Sequence, residues 1–366
     1  MRTVAVFTDT YLPTVNGVSY TVRTWRDRWL QRGGRMPIVY PNTDERSADD
    51  DEYPVSSAPF PFYSGFRIAG PEVPDAVRDA SPDLVHAHTP FTLGLAGRRL
   101  ASKLNVPFVV SYHTPAGEYA GYLSDTFSDL IRRVANRYER WYFESADAVI
   151  VPSETAASAV EVGDTPVYVI SNGVDTARFR PANESAVDDF RDRYSIPDGP
   201  LVGYTGRHGY EKRLGDIIAA TGELDVSVVV AGDGPARTEL RRQASERQNV
   251  VFPGFLDRDE LAAFYTALDT FVFPSPVETQ GLVALESIAC GTPVVAADRG
   301  ALTETVTDGE TGTHFRCGDV DDLRAAISRV LADSDLLPTR FRERRRQLCV
   351  EGSIDELEAV YEAVLD

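Results

Sequence analysis

The stretch PSPVETQGLVALESIACGTPVVAA, residues Pro274–Ala297, decides the fold. A strand ends at Pro274, Gly281 opens a helix that Gly291 and Pro293 close, and a second buried strand follows at Val294–Ala297. Strand, helix and strand in that order form the repeating unit of a parallel α/β sheet. The loop ahead of the helix directs amide N–H groups into the space beyond the strand ends, where open α/β sheets take their ligands. Glu278 stands in that loop, and Glu286 sits inside a helix otherwise rich in Leu, Val, Ala and Ile. A buried carboxylate needs a partner. For Glu286 alone an arginine would serve as well as a ligand. Two carboxylates around a glycine-opened helix favour sugar and ribose hydroxyls, because ionised carboxylates only accept hydrogen bonds.

The same alternation runs outward in both directions. Strands are expected first at Val4–Thr8, Pro37–Tyr40, Leu84–His88, Phe108–Tyr112, Ala148–Pro152 and Val167–Ile170. They recur at Leu201–Tyr204, Ser227–Ala231, Val250–Pro253, Thr270–Pro274, Val294–Ala297 and Gly312–Phe315. The helix from Gly17 carries Val18, Val22, Trp25 and Trp29 on one face, a core stripe. Turn residues in SNGVDTARFRP, Ser171–Pro181, mark a hinge between the two series. A helix over Ile354–Leu365 has no third sheet to follow, so it docks on one of the two lobes. The acidic, serine-rich stretch Thr43–Ser57 reads as an exposed loop.

A net charge of -19 excludes nucleic acid as a partner, since phosphates are repelled. Only Lys103 and Lys212 are lysines in an arginine-rich chain. Excess carboxylates with so little lysine point to a cytoplasm of very high salt, where repulsion is screened; a GC-rich genome explains the arginine but less well the acidity. No apolar run approaches the roughly 20 residues of a membrane helix, and MRTVAVF enters a strand without a signal-peptide core. Cys290, Cys317 and Cys349 lack metal-ligand spacing and read as reduced and structural. A cytosolic protein is expected.

Further signals lie at other strand ends. In LVGYTGRHGYEKR, Leu201–Arg213, Arg207 and Lys212 follow a buried strand and suit a diphosphate, one as a bidentate fork and the other as a point charge. In AVFTDTYLPTVNGVSYTV, the loop with Asn16 and Gly17 opens a helix and lacks the GxGxxG fingerprint; it reads either as a plain strand–helix turn or as a place where a phosphate or sugar approaches the backbone closely. His113 follows the strand FVVSY and is placed to hydrogen-bond a sugar. His86 and His88, without carboxylate or cysteine neighbours, are not metal ligands. Asp257-Arg258-Asp259 and Asp319-Val320-Asp321 precede helices, where aspartate caps, and are rejected as metal sites. The segment LIRRVANRYERWYF, Leu130–Phe143, admits two readings. Arg132, Arg133, Arg137 and Trp141 suit an anionic lipid surface, and core aromatics flanked by solvated arginines suit the same residues.

Taken together these motifs resemble the retaining GT-B glycosyltransferases of family 4, along essentially the whole chain from TDTYLPTVNGVS through VISNGVDTARFRP to ETQGLVALESIACGTPVV. The resemblance implies two Rossmann-like lobes with parallel sheets and a ligand cleft between them. Residues 1–172 would form an acceptor-binding lobe, joined by a C-terminal helix, 352–366, that crosses back to it; residues 173–351 would bind the nucleotide sugar. It further implies that Glu278 contacts the donor sugar and Glu286 the ribose, and that amides near Gln280, Gly281 and Leu282 face the donor. Arg207 and Lys212 match the family's diphosphate-binding pair, Gly17 its glycine loop, and His113 its active-site histidine. No metal or other cofactor is implied. TDTYLPTVNGVS and the HTP at His113–Pro115 are similar to members that glycosylate lipids, although the short acidic loop after Pro41 and the ending before the last helix depart from them.

The expected reaction moves a hexose from a nucleotide diphosphate to a lipid or lipid-linked glycan, with contact to the inner face of the membrane. Without a side chain that serves as covalent nucleophile, a front-face transfer is favoured, the leaving phosphate taking the acceptor proton. A non-hydrolysing nucleotide-sugar 2-epimerase and a silent sugar-nucleotide-binding subunit are the alternatives. The first would turn over donor alone; the second would have lost Glu278, Arg207 or Lys212, which this chain keeps.

Overall fold

Parallel strands cannot be joined by tight turns, so the parallel sheets here are built with crossover connections. The computed structural model describes residues 2–43, 46–60, 66–113, 128–332 and 338–366, with the backbone alone at 128–132, 338–340 and 342–343. The chain forms two compact units. The first comprises Met1–Asn172 and Val350–Asp366, the second Gly173–Cys349.

The first unit is built on β1 (Val4–Phe7), β2 (Ile38–Pro41), β3 (Glu52–Val55), β6 (Leu84–Ala87), β7 (Phe108–Ser111), β8 (Ala148–Val151) and β9 (Val167–Val169), with β4 (Ser57–Pro59) and β5 (Arg67–Ala69) as a separate antiparallel pair. The seven strands are parallel in the order β3-β2-β1-β6-β7-β8-β9. Alternation along β1 splits the core: Ala5 and Phe7 face one cluster, with Leu93, Leu100 and Tyr142. Val4 and Val6 face another, with Trp25, Trp29, Ile354, Leu357 and Tyr361. Both faces of the sheet are therefore dry.

The second unit carries β10 (Leu201–Thr205), β11 (Ser227–Ala231), β12 (Val250–Val251), β13 (Thr270–Phe273), β14 (Val294–Ala297) and β15 (Gly312–Phe315). Its order, β12-β11-β10-β13-β14-β15, is wholly parallel. That is the doubly wound pattern, in which the chain leaves the central pair towards opposite edges.

Two sequence expectations change. The stretch Thr43–Ser57, expected as a loop, contains β3, paired with β2 from Ile38–Glu52 to Pro41–Val55. Pro54 is tolerated because β3 is an edge strand, where a missing N–H costs no ladder bond. Glu52 begins that strand and is buried: its carboxylate accepts from Tyr11 Oη at 2.9 Å, Arg23 Nη1 at 3.3 Å and Arg46 Nη1 at 2.5 Å. What reads as a solvated acid is a buried acid with its partners supplied from other segments. The final helix begins earlier than expected, spanning Val350–Leu365.

That helix packs on helix Gly17–Gln31. Ile354, Leu357 and Tyr361 are inside, Trp29 and Tyr361 meet edge to face at 5.4 Å, and Arg28 and Arg32 pair with Glu351 and Asp355 at 2.7 and 2.6 Å. The ion pairs are exposed enough to contribute little, and the apolar face carries the attachment. All three tryptophans, Trp25, Trp29 and Trp141, belong to the first unit, so their fluorescence reports on it alone. Leu357→Ala is predicted to destabilise this unit by about 2–5 kcal/mol, read as a lower urea midpoint in tryptophan fluorescence. An unchanged midpoint would show that the helix is not part of the unit.

Candidate active site

The switch point of the second sheet lies between β10 and β13, and the loops leaving their carboxyl ends carry Arg207, Lys212, Glu278, Gln280 and Gly281. Lys212 Nζ donates to Glu278 Oε1 at 2.6 Å, joining the loop after β10 to the loop after β13. Both side chains are largely inside, 16% and 14% exposed. Burial opposes the charge on Lys212, but the Glu278 carboxylate overrides it and holds the ammonium above its usual pKa. Arg207, from the same loop and one third exposed, pairs with Glu211 four residues on. Two cations, each matched by a carboxylate, thus stand past the carboxyl ends of the central strands, at the switch point where open α/β sheets take ligands.

Gly281 adopts φ +83°, and a Cβ there would lie 2.8 Å from Leu302 Cδ2 and 3.1 Å from Phe273 Cε1. Only glycine meets both demands. Helix Leu282–Ala289 starts at once, with no side-chain cap from residue 281. The Gln280 carbonyl accepts from Thr305 Oγ1 at 2.5 Å, which fixes the loop. Glu286 accepts from the Tyr265 phenol at 2.8 Å, with Arg258 and Arg178 acting electrostatically. Burial pushes its pKa up to about 7 despite those groups.

In the first unit, Asn16 caps helix Gly17–Gln31: its Oδ1 accepts from Ser19 N at 2.9 Å and its Nδ2 donates to Thr10 Oγ1 at 2.7 Å. A Cβ on Gly17 would meet nothing within 4 Å. His113, just past β7, has its Nε2 3.0 Å from His88 Nδ1, and burial lowers its pKa to about 4. His86 lies between Tyr361 Oη at 2.7 Å and Ser111 Oγ at 2.8 Å. In helix Ser128–Phe143, Tyr142 and Phe143 are core, whereas Arg133, Val134, Arg137 and Trp141 are exposed. The Arg98 guanidinium lies over the Trp141 ring at 4.9 Å. The Arg132 side chain is outside the described residues, as are Thr114 and Pro115 of HTP.

Asp319 Oδ1 accepts from Asp322 N at 3.0 Å, and Asp259 pairs with Arg178. Among the described residues no three His, Cys, Asp or Glu side chains gather to hold a metal, and no helix is long and apolar enough to cross a membrane. Sequence reasoning missed Glu211, Tyr265 and the partners of His88. Glu211 was accessible, standing one residue before Lys212 and one helical turn after Arg207. Tyr265 and Glu286 lie 21 residues apart and meet only through packing.

Comparison with known proteins finds relatives along nearly the whole chain. Residues 15–178 match the model of Glycosyltransferase Family 4 and residues 187–348 that of Glycosyl transferases group 1. The chain is 31% identical to an alpha-monoglucosyldiacylglycerol synthase of Streptococcus pneumoniae, over 95% of its own length and 83% of that protein. It is also 31% identical to a GDP-mannose-dependent alpha-mannosyltransferase of Mycolicibacterium smegmatis, over 99% and 97%. In fold it is similar to a sucrose-phosphate synthase of Thermosynechococcus elongatus, with a TM-score of 0.80 at 23% identity over 99% of both chains. Another similar fold is that of Anabaena Alr3699/HepE, solved with UDP and glucose, with a TM-score of 0.78 at 21% identity over 99% and 100%. Paired Rossmann-like units and matches along nearly the whole chain leave one assignment: the chain belongs to the GT-B glycosyltransferases of family 4, enzymes that transfer a sugar from a nucleotide-sugar donor.

Proposed function

We propose that this glycosyltransferase moves a hexose from a nucleotide diphosphate to a membrane lipid or lipid-linked glycan, with retention at the anomeric carbon and without a metal ion. The observation that carries the reading is the Lys212–Glu278 pair at the switch point of the second unit, 2.6 Å across. A single lysine there, in a chain with two, presents a compact charge to a leaving diphosphate while holding the carboxylate that accepts from the sugar. Arg207 adds the second cation, exchanging Glu211 for phosphate. Backbone amides at Gln280, Gly281 and Leu282 face the donor, and Glu286 accepts from the ribose.

The first unit serves the acceptor. His113 hydrogen-bonds the sugar, and the loop of Asn16 and Gly17 lets the donor approach a helix N-terminus. As the bond from the anomeric carbon to the leaving phosphate oxygen breaks, the acceptor oxygen bonds to that carbon from the same face and gives its proton to the leaving phosphate. Lys212 and Arg207 stabilise the charge that grows on the diphosphate, the largest effect available to such a site. A lipid acceptor is supported by the similarity to alpha-monoglucosyldiacylglycerol synthase. It is supported again by Arg133, Arg137 and Trp141, exposed on one helix of a chain whose net charge is -19. Those side chains would rest on an anionic leaflet at the cytoplasmic face.

The test is transfer from UDP-glucose or GDP-mannose to diacylglycerol in phosphatidylglycerol vesicles, with and without excess EDTA, and the product anomer read by proton NMR. An α-linked glycolipid formed equally well in EDTA is expected. Loss of transfer in EDTA with recovery in magnesium would refute the metal-free part, and a β-linked product the retention.

Lys212 supplies a sharper test. Lys212→Ala should lower kcat by about 10²–10³-fold, as removal of one charge-stabilising group does, and by more than it weakens donor binding. Lys212→Arg should also lose at least tenfold, because a planar fork cannot stand where an ammonium sits 2.6 Å from Glu278. If both variants kept wild-type rate and donor affinity, Lys212 would be an ordinary partner of Glu278 and nothing more.

A further inference from the structure

Three histidines lie in file through the first unit, from the C-terminal helix to the carboxyl edge of the sheet. His86 is fully buried, with Tyr361 Oη on Nδ1 and Ser111 Oγ on Nε2. The His88 ring lies 4.1 Å from that of His86, and Trp25 borders both at 6.3 and 5.8 Å. At the sheet edge His88 Nδ1 meets His113 Nε2 at 3.0 Å, the two rings within 8° of parallel. Burial keeps all three neutral, His86 near 3 and His113 near 4, with His88 also well below the ordinary value.

Two neutral imidazoles joined nitrogen to nitrogen share one proton, so one ring donates and the other accepts. A neutral imidazole carries its proton on one nitrogen only. The contact therefore links the tautomers: if His88 donates, His113 is protonated at Nδ1; if His113 donates from Nε2, its Nδ1 is bare. We infer that His88 is a positioning residue, which aligns the His113 ring and sets whether its Nδ1 carries a proton. His86, clamped by Tyr361, Ser111 and Trp25, is the wall against which His88 is fixed. The C-terminal helix thereby reaches the site through Tyr361 without touching it. This inference rests on the reading of His113 as a sugar contact.

The direct test needs no substrate. In wild-type protein labelled with 15N-histidine, long-range 15N–1H correlation should show one protonated and one bare nitrogen at the His88–His113 contact, and His88→Leu should scramble the His113 pattern. A His113 tautomer unchanged by His88→Leu overturns the link, as does an imidazolium at either ring in the wild type. In the lipid-transfer assay with UDP-glucose and GDP-mannose, His88→Leu should cut kcat at least tenfold with donor KM within about twofold. His88→Asn, whose amide reaches where Nδ1 stood, should recover most of the loss. In a His113→Ala background His88→Leu should add nothing. An inactive His113→Ala beside a fully active His88→Leu overturns the positioning role alone, whereas a fully active His113→Ala removes the reading of His113 on which it rests.

Discussion

The parallel ladder is the constraint on which everything else depends. Strands that run the same way need crossovers, and crossovers bury both faces, so every residue of β1, β6, β10 and β13 is buried. With the faces closed, the accessible backbone is at the strand ends. The order β12-β11-β10-β13-β14-β15 then separates the loops after β10 and β13 from their neighbours and leaves room between them. Lys212 and Glu278 meet there because of the topology, although 66 residues divide them.

Charge is handled by pairing rather than avoidance. A chain with 56 acidic residues must find donors for those it buries, and Asp9, Glu52 and Glu286 have them. Asp9 accepts from Thr89, Thr92 and the Leu93 amide, Glu52 from two arginines and a tyrosine, and Glu286 from Tyr265. The difference among them is chemical. Glu52 lies among cations and its pKa is lowered, as expected of a structural ion pair. Glu286 accepts from a neutral phenol, and burial pushes its pKa up to about 7 although Arg258 and Arg178 act to lower it. Arginine fills most of the cationic positions, and Lys212, one of two lysines, is the cation that meets Glu278.

Much of this was legible from residues in sequence. The Glu278–Glu286 helix, the strand leading to Arg207 and Lys212, and the apolar stripe of Val22, Trp25 and Trp29 each declare themselves by local period and turn chemistry. The parts that were not legible depend on distant contacts. Edge strand β3 hides behind Asp and Pro because its burial comes from Arg23, Arg46 and Tyr11, and no local pattern encodes them. His86 and His88 look like an idle pair until Tyr361, 275 residues from His86, closes on them. Asn16 drew notice for its loop, and its side chain proves to be a helix cap.

The central claim is that the switch point of the second unit holds the diphosphate and sugar of the donor. A crystal structure of the wild-type enzyme soaked with UDP-glucose or GDP-mannose tests it most directly. The account predicts phosphate oxygens on Lys212 Nζ and the Arg207 guanidinium, sugar hydroxyls on Glu278, and ribose hydroxyls on Glu286. Donor bound away from the loops after β10 and β13, with the Lys212–Glu278 pair untouched, would contradict it.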